Sequence, residues 1–166
     1  MEQKLLSFSE HITFAYIAMW LIYLIVYRRL DSKVIALTSV VFFSLLMNYI
    51  TPYVLAYAKN NAGILPKAVF HLTFCAIQLV AVFSIRLLHD YFRLKMSKAA
   101  LAVIILYILQ VSIHLIYLAE KAVLGTFSLS YIYTISINTV NVLLCFVCVL
   151  CILQFKVSTS TKGEYL

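Results

Sequence analysis

Histidines, amides and cysteines recur at helical spacing inside the long apolar runs of this 166-residue chain. His71, Cys75, Gln78 and His89 return to one face of a helix with 3.6 residues per turn, and so do Tyr107, Gln110, His114, Tyr117 and Lys121. Tyr131, Thr134, Asn138, Asn141, Cys145 and Cys148 alternate by three and four, which is a heptad seam. Thr13, Tyr16, Trp20 and Tyr27 form a shorter line, as do Ser44, Asn48 and Thr51. Polar groups inside lipid face a bundle interior or water, so each line marks an inward face. Counting ~1.5 Å per residue from the middle of each run, Asn48, Gln78, Gln110 and Asn141 fall near one plane, and His71 and His114 lie ~8 to 10 Å to one side of it.

Each set implies a chemistry and an ordinary alternative. Two neutral imidazoles at one depth on adjacent antiparallel helices are the ligands a haem b iron takes from two sides, with Lys67 and Lys121 placed to meet its propionates. Against this, neither helix contains a glycine to give a porphyrin clearance. Cys145, Cys148 and Cys151 form a C-x-x-C-x-x-C string, a redox or iron-sulfur pattern in other settings. On a regular helix in the membrane these thiols are better read as small hydrophobes. Pro52 has no amide hydrogen, so the carbonyl of Asn48 loses its helical partner beside an amide side chain. The two oxygens suit a cation or a water, or else the kink is satisfied by a neighbouring helix. Asn48, Pro52, Gln78, Gln110, Asn138 and Asn141 are therefore the candidate polar interior or ligand-binding residues, either lining a pathway or fastening helices together.

The same runs exclude other classes. Glu120 and Asp90 sit at the ends of apolar runs, and Glu2, Glu10, Asp31 and Glu164 lie outside them, so no carboxylate stands at mid-span. Proton or sodium coupling and paired-acid catalysis lack their usual groups, and no G-x-S-x-G, H-E-x-x-H or Walker string occurs. A non-enzymatic role is expected, with no cofactor unless the histidine pair holds haem.

The elements that must position these residues follow from composition. Hydrophobic residues make up 64% of the chain and charged residues 11%, which leaves too little polar surface for a water-soluble core. Apolar runs at 12–27, 34–58, 68–88, 99–119 and 129–155 approach or exceed the ~20 residues that cross a bilayer, and in lipid they must be helices. The sequence thus predicts an all-α, polytopic membrane bundle of five spans forming a single domain over 1–166. Residues 157–166 read as a frayed polar tail. All three glycines, Gly63, Gly125 and Gly163, lie outside the spans, so packing relies on Ala, Ser, aromatics and interhelical hydrogen bonds.

Of the 13 basic residues, nine fall on one side: Arg28, Arg29, Lys33, Arg86, Arg93, Lys95, Lys98, Lys156 and Lys162. Lys4, Lys59, Lys67 and Lys121 fall on the other. That excess predicts a cytoplasmic C-terminus and an N-terminus outside. The first run lacks a cleavage pattern and reads as a retained span. The net charge of +7 follows from this topology and from anionic lipid, not from nucleic acid. Arg86 to Arg93, with His89, Tyr91 and Phe92, reads as an interfacial rim.

Three functions fit. A small membrane protein, in an oligomer or with other membrane subunits, binds or passes a polar solute or ion. Alternatively, it is an accessory, assembly or immunity subunit of a larger complex, or a haem-bearing electron carrier. The polar layer shared by four helices favours the first. The expected location is a bacterial inner membrane.

Overall fold

Five helices follow one another with short connections: α1 (Glu2–Tyr27), α2 (Ser32–Asn60), α3 (Ile64–Tyr91), α4 (Lys98–Val123) and α5 (Ser130–Ser160). The computed structural model describes residues 2–28, 30–124 and 129–160, and side chains within 11–28, 30–124 and 129–153. Arg29, Gly125 and the tail from 161, with Lys162, Gly163 and Glu164, lie outside the described residues. So do the side chains of Glu2, Lys4, Glu10, Phe155 and Lys156. Helices α2, α3, α4 and α5 (over Ser130–Leu153) are long and apolar enough to cross a membrane, whereas α1 adds a shorter apolar stretch, His11–Tyr27.

Each helix packs on the next, α1 closes against α5, and α2 also reaches α4 and α5 across the interior. Residue types explain the ends. Asp31 caps α2, its Oδ1 accepting from the amides of Lys33 at 3.0 Å and Val34 at 2.9 Å. Ser97 caps α4 by accepting from Ala100 N at 3.2 Å. The α3 end is a Schellman turn, in which Leu94 N donates to His89 O and Arg93 N to Asp90 O. Arg93, at φ 52°, takes the left-handed position that glycine usually fills, and Arg28, at φ 43°, does the same after α1.

The bundle is closed at one end and open at the other, and α2 shows why. Its buried residues run from Ser32 to Ser44 and include Leu37, Val40 and Phe43; beyond Ser44 none of its residues is fully buried. Around the first half pack Tyr23, Ile85, Val103, Tyr107, Leu144, Cys148 and Cys151. Cys148 and Cys151 are free thiols in this core, and half-buried Cys145 is free too. Hydrogen bonds seal the closed end. Tyr27 donates to Ile152 O, and Tyr23 to Asp31 Oδ2, each at 2.7 Å.

His89 belongs to this seal. The rim predicted around it is only partly present, because Arg86, Asp90, Tyr91, Phe92 and Arg93 are exposed while His89 is buried. Its Nδ1 lies 2.7 Å from Ile85 O and must donate there, since a carbonyl only accepts. In a neutral ring Nε2 then accepts from Ser32 Oγ, also at 2.7 Å. Ser32 Oγ in turn accepts from Ser97 N at 2.8 Å and lies 2.9 Å from Ser97 Oγ. A single serine thereby ties the α1–α2 turn to the α3–α4 turn.

Asp31→Ala removes an N-cap and leaves the Tyr23 hydroxyl unpaired, and should lower stability by about 2 kcal/mol in denaturant titration of the detergent-solubilised protein. Asp31→Asn keeps an acceptor and should cost less than half of that.

Candidate functional site

A cavity of about 590 Å³ occupies the open half of the bundle, and all five helices line it. It extends from Ser44, Gln78, Gln110 and Asn141 to the helix ends that carry Lys59, Lys67 and Lys121. The volume lies within the range of small-molecule sites.

At the inner end three amides form a directed chain. Gln78 Nε2 donates to Gln110 Oε1 at 3.0 Å, and Gln110 Nε2 donates to Asn141 Oδ1 at 2.7 Å. Tyr16 donates to Asn141 O at 2.7 Å, which brings α1 to the same group. Each acceptor along the chain is used by the preceding donor, so the first carbonyl is left over. Gln78 Oε1 has no hydrogen-bond partner among the described residues, although the side chain is 98% buried (2% exposed) and lines the cavity. Asn48 joins the lining from α2, with Nδ2 donating to Thr13 Oγ1 at 2.8 Å. Asn138 lines the cavity from α5.

Pro52 does not join them. It is exposed and absent from the lining, while Thr51 one residue earlier faces the cavity and donates back to Met47 O at 2.6 Å. Pro52 itself thus contributes no lining surface, and its part in the expected site is confined to leaving the Asn48 carbonyl without a helical amide partner. On a helix, residues four apart are about 40° apart, which is enough to turn Pro52 outward while Asn48 faces in.

Halfway to the open end an aromatic cage surrounds the two histidines. His71 Nδ1 and His114 Nδ1 lie 3.2 Å apart, and Tyr133 Oη is 3.1 Å from His114 Nδ1. For two neutral rings this contact requires opposite tautomers, one bearing its proton on Nδ1 and the other on Nε2. Phe74 stacks on His114 at 5.7 Å between centroids and 7° between planes, and Tyr117 stacks on Tyr133 at 4.4 Å and 15°. Lys121 Nζ lies 4.2 Å from the centre of the Tyr117 ring.

The two imidazoles bond directly to each other, so a haem b iron could take them from two sides only if the rings moved apart. Among the described residues, no group of three His, Cys, Asp or Glu side chains is placed to hold a metal ion.

The helical lines read from the sequence meet at the cavity only in part: Trp20, Tyr27, His89, Tyr107, Cys145 and Cys148 belong to the packed half, and Cys75 and Tyr131 stay off the lining. Cys75 is buried behind the lining, its thiol 3.8 Å from Val111 O. Tyr131 is 72% exposed, and the tyrosine of α5 that enters is Tyr133. Tyr133, Ile137 and Asn141 recur at intervals of four, a spacing visible in the sequence but hidden by the more polar 131, 134, 138 seam. By helical geometry Thr134 and Asn141 sit nearer the middle of the lining face, Asn138 at its edge and Tyr131 just beyond it.

No protein-family model, curated protein or solved structure matches this chain. Its chemistry therefore rests on the lining itself: amides and hydroxyls at the inner end, aromatic walls, and ammonium groups at the open end.

Replacing Gln110 by Leu strands a donor on Gln78 and an acceptor on Asn141. In a double-mutant cycle of Gln78→Leu with Gln110→Leu, the coupling should be about 0.6 kcal/mol and at most about 1.7, measured by unfolding in mixed micelles.

Proposed function

We propose that this is an integral membrane protein that binds a polar solute in the cavity, reached from the side bearing Lys59, Lys67 and Lys121. The observation that carries this reading is a cavity of about 590 Å³ with polar groups from all five helices, ending on an unpaired buried carbonyl. Pure helix fasteners would pair with one another and fill the space between them. Here they pair but also border open space, and one carbonyl is left over.

Binding is favoured over free passage because the other half of the bundle is packed. Leu37, Val40, Ile85 and Tyr107 fill it, and the Ser32, His89 and Ser97 cluster closes its end. The distribution of basic residues supports an orientation with the cavity outside, the N-terminus outside and the C-terminus in the cytoplasm. A bacterial inner membrane is the setting in which such an outward site meets solutes that have already crossed an outer barrier.

The test is thiol labelling. With Cys75, Cys145, Cys148 and Cys151 replaced, Asn138→Cys in sealed vesicles should react with a membrane-impermeant maleimide added from the cavity side. A cysteine at Val40, in the packed half, should stay unlabelled from both sides. If Asn138→Cys is as inert as the Val40 variant, the cavity is not open to water and the reading fails.

A further inference from the structure

The geometry points to a flat, ring-bearing solute that donates an O–H or N–H at the inner end of the cavity and accepts a hydrogen bond, through a carbonyl or similar oxygen, beside the histidine pair. This rests on the solute-binding reading above and names the solute by its shape and its hydrogen-bonding groups.

The inner end supplies an acceptor. The amide chain uses Gln78 Nε2 to reach Gln110 and leaves Gln78 Oε1 without a partner at the cavity wall. A buried acceptor left unpaired costs about 1 to 3 kcal/mol, which a donor on the solute recovers. Tyr107 Oη is unpaired too, but it sits in the packed core and off the lining, so of these two groups only Gln78 is within a solute's reach.

The histidine pair leaves a donor. His71 Nδ1 and Tyr133 Oη both face His114 Nδ1, at 3.2 Å and 3.1 Å. A neutral ring nitrogen offers either one in-plane lone pair or one N–H. A single lone pair cannot serve two donors well, whereas one N–H can be shared between two acceptors in a three-centre bond. His114 therefore carries its proton on Nδ1, with His71 Nδ1 and Tyr133 Oη accepting. The Tyr133 hydroxyl keeps its own hydrogen, no other described residue takes it, and Tyr133 lines the cavity.

Spacing and walls set the shape. His114 stands one turn from Gln110 along α4, and His71 two turns from Gln78 along α3, which puts the acceptor and the donor ~6 to 10 Å apart. Phe74 lies between them on α3, parallel to His114, and Tyr117 is stacked on Tyr133. Aromatic walls take a ring by offset or edge-to-face contact, which a flexible chain does not offer.

The probe is 4-hydroxyacetophenone, whose carbonyl stands across the ring from its hydroxyl. It is titrated calorimetrically, at a pH that keeps it neutral, into the full chain in phosphatidylcholine nanodiscs, with protein-free discs as the baseline. Acetophenone lacks the donor, and 4-ethylphenol lacks the acceptor. The hydroxy ketone should bind about three- to tenfold more tightly than either. Its margin over acetophenone should vanish in Gln78→Leu, and its margin over 4-ethylphenol in Tyr133→Phe. Each margin compares two ligands on one protein, so a general loss of affinity cancels, and the margins in the unmutated chain stand whether or not a variant folds.

If acetophenone or 4-ethylphenol binds as tightly as the hydroxy ketone, or if a margin survives the substitution matched to it, this assignment of the solute falls and the cavity reading stands. If none of the three binds, the assignment also falls, and the reactivity of Asn138→Cys then shows whether the cavity reading falls with it.

Discussion

A side-chain amide surrounded by apolar groups must find its hydrogen bonds within the protein, and the open half of this bundle is organised by how three amides do so. Gln78, Gln110 and Asn141 come from three helices and pass donors in one direction, from α3 to α4 to α5. Each link sets the orientation of the next, because reversing one amide would place two carbonyls or two amino groups face to face. The chain therefore has a head, and the head carbonyl borders the cavity. Three helices that could otherwise slide in register are pinned at one depth, with Tyr16 adding α1 to the same point.

The closed half uses different physics. There α2 is enclosed by its neighbours, and small or branched residues such as Ala36, Val40 and Ala81 fill the space with little polar content. With no glycine within the apolar runs, the helices cannot approach through small-residue seams, so large side chains set their spacing. Where those side chains interlock, as around Tyr23 and Tyr107, the bundle is solid. Where they are aromatic and polar, as around His71, His114 and Tyr133, they stand at the wall of a cavity. One helix, α2, passes from the first regime to the second near Ser44.

This division gives the charged residues separate tasks. Arginines dominate the loops at the packed end, and two of them, Arg28 and Arg93, occupy left-handed backbone positions that end helices. Lysines mark the cavity end. Lys121 lies over an aromatic face and shares the lining with Lys59 and Lys67. The basic residues around the packed end and the lysines that line the cavity are thus different residues, although composition alone merges them into one net value.

Much of this was legible in the residues. Apolar runs of bilayer length implied helices, since no other backbone form satisfies its own amides in lipid, and the spacing of Gln78, Gln110, His71 and His114 placed them on facing surfaces. Periodicity reports the face of a helix but not its partner or separation. Only the tertiary structure therefore decided that the two histidines touch, and that Pro52 faces outward and Tyr133 inward. It also decided that His89 seals one end and that the amides border a cavity at all. The sequence by itself determined which side chains need company in an apolar interior; the packing of five helices decided which company they keep, because that depends on distances between segments far apart along the chain.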